Sequence, residues 1–318
     1  MSNETMPGAP GAAGSEPRRS PMNRRTFTEA AIGVAAVGIA ASLTGWSAAR
    51  HADEGEREES HFSRRIVAPR ISGAVPRDPG DPAWAKATPI RVTLLQQTMV
   101  EPNLKLEGMI PAIELKALHN GSELGFLVSW EDPNSSDVEA ASRFRDSVAV
   151  QLPVNKEGPV GVVMGQPGRP VHLLHWRASW QRAIASGTGT VRDAFPNAVS
   201  DVSPEDVMNQ DQARTFYPAQ VAGNAMALRK RTSPVEELVA EGLGSITSQG
   251  EQRAEGMGAF SGARWDVAIV VPMQGRENQA SLRPGDRTAV AAAVWNGGKG
   301  DRGARKQFAD WSGLELEA

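Results

Sequence analysis

Three side chains with donor atoms suited to a redox-active iron lie close together in this sequence: Met164, His172 and His175, all between Val162 and Trp176. Met164 opens the run Met164-Gly165-Gln166-Pro167-Gly168-Arg169-Pro170, a Gly/Pro-rich loop between two apolar stretches. Small residues let the backbone bend tightly and admit a planar ligand close to the chain. A thioether binds haem iron and tends to raise its potential. A methionine in such a place also serves as filler for an irregular gap in a core. His172 and His175 offer imidazole nitrogens, the commonest metal ligands. Three apart on a strand, they face opposite sides, so they are not expected to bind one metal together. A second loop, Val294 to Trp311, follows an apolar run and is rich in glycine and charge. By composition alone it reads as a solvated turn.

Other chemistries are excluded by composition. The chain has no cysteine. That removes disulfides, zinc–thiolate sites, iron–sulfur clusters, thiol nucleophiles and covalent attachment of a c-type haem. Any haem must be held without covalent links to the protein. No G-x-S-x-G, H-E-x-x-H, Walker loop or dinucleotide-binding glycine motif is present. Two acidic pairs, Glu131-Asp132 and Glu236-Glu237, have bland readings: the first ends a strand, and the second is expected in the polar first turn of a helix. A formal net charge of -3 over 318 residues gives no basic field for nucleic acid.

Those residues need a frame. Ile113, Leu115 and Ala117 alternate with polar positions, Asn120-Gly121 marks a turn, and Leu124, Phe126, Val128 and Trp130 alternate again. This is the pattern of a β-hairpin. Further strands are expected at Val148–Leu152, Val171–Trp176, Trp265–Val271, Thr288–Trp295 and near Leu314–Leu316. Between about Ser179 and Gly258 the pattern breaks, and Pro204–Phe216 and Pro234–Leu243 are expected to be helical, each after a Ser or Thr. The fold class is therefore mainly β: an antiparallel β-sandwich over 81–318, with a partly helical insertion at about 179–258.

The N-terminal part has a different texture. Residues 1–21 are rich in Gly, Pro, Ser and Ala and read as disordered. Arg24-Arg25-Thr26-Phe27 then resembles a twin-arginine export signal, followed by an uncharged stretch from Ala30 to Ala49 ending in the small residues Ser47-Ala48-Ala49. The expectation for 1–49 is an extension with a signal, and the uncharged stretch is long enough to stay behind as a membrane anchor. Residues 50–80 are expected to be a charged, solvated linker. The remainder would lie in the periplasm or at the outer face of the cytoplasmic membrane.

A series of landmarks in fixed order gives the sequence a resemblance. Asp81-Pro82-x-Trp84 comes first, then Lys116-Ala117-x-His119-Asn120-Gly121 and Trp130-x-Asp132. Asp146-Ser147-Val148-Ala149-Val150-Gln151 follows, with Met164-Gly165, Pro170-Val171 and Trp176 after it. Gly256 to Trp265 precedes a late strand, and Ala293-Val294-Trp295-Asn296-Gly297-Gly298 leads through Gly300-Asp301-Arg302 to Lys306. From Asp81 to Leu316 the chain resembles the haem b (gamma) subunits of type II enzymes of the dimethyl sulfoxide reductase family. Ethylbenzene dehydrogenase, dimethylsulfide dehydrogenase, selenate reductase and chlorate reductase have such subunits, and related nitrite oxidoreductase and nitrate reductase subunits share the domain.

The resemblance implies a non-covalent haem b whose iron is held by Met164 and Lys306 from opposite faces. Lys306 would have to bind as a neutral amine, because an ammonium has no lone pair. His172 and His175 are the alternative ligands. With both axial positions filled, the role implied is electron transfer rather than turnover of substrate. The partners implied are a molybdopterin catalytic subunit and an iron–sulfur subunit in a heterotrimer, plus an external cytochrome or quinone-linked redox partner. A rival from another class is an exported carbohydrate-binding sandwich without haem, stacking sugars on Trp176, Trp180 and Trp311.

Overall fold

The computed structural model describes residues 62–98, 109–156, 160–161, 164–186 and 231–318, with scattered positions between 197 and 227. The export signal, the uncharged stretch and nearly all of Pro204–Phe216 lie outside these residues. Among the described residues no helix is long and apolar enough to cross a membrane.

Thirteen strands are present: β1 (Arg65–Ala68), β2 (Ile90–Gln96), β3 (Ala112–His119), β4 (Glu123–Glu131), β5 (Ser147–Pro153), β6 (Val171–Arg177), β7 (Val235–Ala240), β8 (Thr247–Ser248), β9 (Glu255–Ser261), β10 (Arg264–Pro272), β11 (Arg287–Trp295), β12 (Gln307–Ala309) and β13 (Ser312–Leu316). They form one ladder in the order β8-β7-β6-β5-β11-β12-β2-β3-β4-β10-β9, with β13 joining β11 to β1. Among the described strands only β1–β13 pair in parallel. The expected hairpin is β3–β4, where the Asn120 N–H donates to the Glu123 carbonyl and Gly121 takes φ +91°. That dihedral is open to glycine at no steric cost.

The ladder folds over on itself as a sandwich. Val148, Val150, Leu152, Leu174, Trp176, Val290 and Val294 of one layer share a core with Ile113, Leu115, Phe126, Val128, Trp130, Val267 and Ile269 of the other. Every second residue of each strand thus points inward. Trp176 meets Trp265 edge-on across the layers at 5.1 Å. A Cβ on Gly258 would come within 2.4 Å of the Trp176 ring, so the glycine at this point of β9 is set by packing. On the outer face of the second layer, Trp84 packs with Val75, Leu118, Leu127 and Val270. Asp81 holds it there as cap of the single turn Pro82–Lys86.

Two expectations are corrected. Pro234–Leu243 is not a helix but β7, paired with β6 along its whole length. Its Glu236 and Glu237 are fully buried, and each finds cationic or N–H partners that a solvated helix turn would not supply. These tertiary partners override a local helix-start signal. The insertion is therefore helical only in part: α1 (Ala178–Ser186) opens it, and β7, β8 and most of β9 complete it. Finally, the stretch 50–80 is not wholly a tether. β1 extends the ladder, and Ile66, Ala68 and Val75 are fully buried.

Candidate haem-ligand site

The outer face of the first layer carries the site. Strand register puts Ala293, Ala149, His175 and Glu236 in one row across β11, β5, β6 and β7. The next row is Ala291, Gln151, Leu173 and Leu238. Ala149, Ala291 and Ala293 are buried although they face away from the sandwich core. Three methyl groups side by side on flat backbone make a low apolar floor, bordered by Leu173, Leu238, Trp295 and Trp311.

Two loops fold over this floor from opposite ends of the strands. The β5–β6 connection brings Met164. Gly165 takes φ +74°, and a Cβ there would lie 2.6 Å from the Ala240 carbonyl and 2.8 Å from that of Arg169. Only glycine fits, which explains the Met-Gly pair. The Met164 carbonyl accepts from Gly242 N–H at 2.7 Å, and Gly161 beneath the loop accepts from the Trp311 indole at 2.8 Å. Met164 is thereby tied to β7 and to the segment before β13.

The other loop joins β11 to β12 and brings Lys306. It is not a solvated turn. Asn296 caps the single turn Gly297–Lys299, and Gly300 follows at φ +83°. The Gly297 N–H donates at 2.8 Å to buried Asp146, which also accepts from Ser136 N–H at 2.6 Å and from the Trp265 indole at 3.1 Å. Burial pushes the Asp146 carboxyl up to about 6, against the pull of these donors. Asp301 accepts from Asn296 N–H at 2.9 Å and from the Gln307 amide at 3.2 Å, closing the loop next to Lys306. The motif residues around Trp295 and Asp301 are thus the fastenings of the lysine loop.

The two donors converge: Lys306 Nζ lies 3.3 Å from Met164 Sδ. Lys306 is buried, and its ammonium sits 5.3 Å above the Trp295 ring centroid. Burial alone pulls the Lys306 amine down to about 8 from 10.5. A neutral amine is thereby brought within reach near physiological pH. The neighbouring Lys299 sits instead in the turn of the loop, and Arg305 precedes Lys306 in a tight bend with Arg302.

The two histidines part as expected. His172 points into the core side, away from Met164 and Lys306. Its Nδ1 accepts from Ala280 N–H at 3.3 Å and its Nε2 donates to Glu237 at 2.9 Å. Glu237 also takes N–H donors from Ala254 at 2.6 Å, Gln279 at 2.9 Å and Arg253. Burial opposes its ionisation most strongly, yet His172 and the N–H donors together hold the carboxyl below its usual range. This is a satisfied structural cluster, and His172 is not part of the site.

His175 is on the site's face, stacked on Trp295 at 4.7 Å between ring centroids. Its Nδ1 lies 3.3 Å from Arg177 Nη2. A guanidinium only donates, so Nδ1 must accept and the imidazole proton lies on Nε2. Burial, and then the charges of Arg177, Arg145 and Lys306, hold this ring well below its usual pKa. A protonated Nε2 has no lone pair for iron, so the geometry removes His175 as an alternative ligand.

Of the tryptophans expected to stack sugars, Trp176 is in the core. Trp180 is buried, with Arg177 4.2 Å and Arg231 3.9 Å from its ring centroid. Trp311 is buried with its indole N–H committed to Gly161. Sequence reasoning also missed the alanine floor. Its signal was the alternation Ala289-x-Ala291-x-Ala293, with the apolar residues Val290 and Ala292 between.

The residues fit a porphyrin on three counts: a thioether and a readily neutralised amine converge, the floor beneath them is flat and apolar, and both loops are fixed by the fold. Among the described residues no cluster of three or more His, Asp or Glu could hold a bare metal ion instead.

The chain is similar in sequence to known proteins. The chain is 22% identical over 238 residues to a putative respiratory nitrate reductase heme subunit of Haloferax mediterranei, covering 74% of this chain and 67% of that protein. It is 29% identical over 166 residues to the chlorate reductase subunit gamma of Ideonella dechloratans, covering 51% of this chain and 65% of that one. The chain thus spans about two thirds of the length of these relatives. A solved family 9 carbohydrate-binding module of Caldicellulosiruptor kristjanssonii aligns with 80% of the chain and 94% of its own at 10% identity and a TM-score of 0.40, too low to bear on function. The ethylbenzene dehydrogenase family model matches residues 81–307, from the cap of the Trp84 turn to the residue after Lys306, and the chain belongs to that family.

Proposed function

We propose that this chain is the electron-transfer haem b subunit of an extracytoplasmic molybdopterin oxidoreductase complex. The observation that carries the reading is the convergence of Met164 and Lys306 over the alanine floor. The relatives named as a heme subunit and a gamma subunit of nitrate and chlorate reductases support it. Bound there without covalent links, haem would supply a one-electron couple.

The chain's own residues do the rest. Burial of Lys306 lowers the cost of giving up its proton, so a neutral amine is offered rather than an ammonium. Met164 supplies a soft, uncharged donor from a backbone that Gly165 keeps in one conformation. Ala149, Ala291 and Ala293 would offer a porphyrin an apolar surface without projecting side chains, and Leu173, Trp295 and Trp311 would exclude water around it. With Met164 and Lys306 both given to its metal, a haem held here would serve electron transfer rather than turnover of substrate. Turnover would belong to a molybdopterin subunit, with an iron–sulfur subunit relaying electrons to this chain. An external cytochrome or a quinone-linked protein would be the outer partner. The Arg24-Arg25 pair and the uncharged stretch after it support export by the twin-arginine route, to the periplasm or the outer face of the cytoplasmic membrane, where the stretch is long enough to serve as an anchor.

The test is purification of the native assembly. The expected result is co-purification with a molybdenum-bearing and an iron–sulfur polypeptide, with one extractable b-type haem per copy of this chain, oxidised and reduced on addition of the complex's substrate and electron partner. A chain that purifies alone, or with partners but without haem, would overturn the reading.

A further inference from the structure

The buried His175 has one hydrogen-bond donor left over. Its Nδ1 is taken by Arg177, so its proton is on Nε2, and that atom has no hydrogen-bond partner. The side chain is more than nine-tenths buried, so water does not readily replace the partner. A buried N–H without an acceptor costs free energy and marks a place made for a ligand. The obvious internal acceptor is Glu236, directly across the ladder on β7. Its carboxylate is already engaged by Arg177 and by the Ser248 hydroxyl. Two guanidinium groups flank the ring, Arg177 paired with Glu236 and Arg145 paired with the half-exposed Glu139 at 3.1 Å. The missing acceptor lies on the same face as the Met164–Lys306 pair, against the same Trp295 ring that Lys306 overlies, and a carboxylate is the porphyrin group able to accept there.

We propose that His175 receives a carboxylate of the porphyrin, donating its Nε2–H to a propionate on the face it shares with Met164 and Lys306. This rests on the haem reading above and deepens it. The chain then has three points of recognition for one ligand: a thioether and an amine for the metal, and a histidine donor for the ring's acidic edge. Orientation of an otherwise nearly symmetric ring would follow from the third. Charge-assisted hydrogen bonds are the strong ones, so the preference should be large enough to measure.

The test is reconstitution of the full chain with protohaem and with protohaem dimethyl ester, whose carboxylates are masked, followed by titration of the Soret band. Wild type is expected to bind the free acid at least about tenfold more tightly than the diester. His175→Phe keeps the ring against Trp295 but lacks the donor. It should bind the diester as wild type does and lose most of the preference, with its low-spin spectrum intact. His175→Gln, with an amide donor, should restore part of the preference. Equal affinity of wild type for both porphyrins would overturn the proposal, as would a full preference in His175→Phe, or loss of its low-spin spectrum. Absence of a Soret band with either porphyrin on wild type would instead sink the haem reading itself.

Discussion

His172 and His175 sit on one strand and face opposite sides of it, and the difference between those sides separates structure from function. Both imidazoles accept at Nδ1 and carry their proton on Nε2. On the core side, that proton meets Glu237, and Glu237 in turn satisfies donors from Arg253, Ala254 and Gln279. On the outer side, it meets nothing, beside a lysine pulled towards neutrality and a floor of alanines. A polar network that closes on itself belongs to the fold; one left open is shaped for something to be added. Neither property is visible in the residue types, since the strand reads His-Leu-Leu-His.

The largest effect should come from breaking the closed side. Glu237→Ala would leave several buried donors without an acceptor, at a cost of about 3–5 kcal/mol. Chemical denaturation should show that loss, and molecules that still fold should keep the low-spin haem spectrum because Met164 and Lys306 are on the other face. A change of ligation in Glu237→Ala would erase the distinction between the two sides.

Next is the pH dependence of the open side. In the haem-free protein Lys306 releases its proton near 8, while the unfolded chain holds its proton up to about 10.5. Between those values the unfolded state binds more protons, so stability should rise with pH, by up to about 3 kcal/mol for this group. Below about 8 the buried ammonium is a full penalty. Lys306→Met should raise stability at pH 7 and flatten the profile across that window. An unchanged profile would mean that the amine is not desolvated.

A smaller effect separates the two glycines of the methionine loop. Gly165→Ala forces a Cβ against two carbonyls in a left-handed backbone, whereas Gly168, at φ +77°, has nothing within 4 Å. The first should cost about 2–3 kcal/mol and weaken haem binding by moving Met164, and the second about 1 kcal/mol with haem affinity kept. Calorimetry and Soret titration of the pair check this.

The sandwich was largely legible. Alternation marked β3, β4, β5 and β10, largely apolar runs marked β6 and β11, and Asn120-Gly121 marked the hairpin. What failed was where tertiary partners decide. Glu236 and Glu237 in sequence look like a helix's first turn, because their partners Arg177, His172 and Gln279 come from other elements. β12, at three residues, is too short to show a period, and β1 reads as part of a charged tether because only its pairing with β13 makes it a strand. At the site, Met164 and Lys306 were named from the resemblance. Composition alone put Lys306 in a solvated turn, since nothing local reveals that Asp146 and Asp301 tie that loop down. The tautomer of His175 was out of reach, because it depends on where Arg177 points.

The most direct measurement is the visible spectrum of the haem-reconstituted protein, oxidised and dithionite-reduced, for wild type, Met164→Ala and Lys306→Ala. The account predicts a sharp low-spin b-type spectrum in wild type that turns to a high-spin or weakened form in both variants. A wild-type spectrum unchanged by either substitution would contradict it.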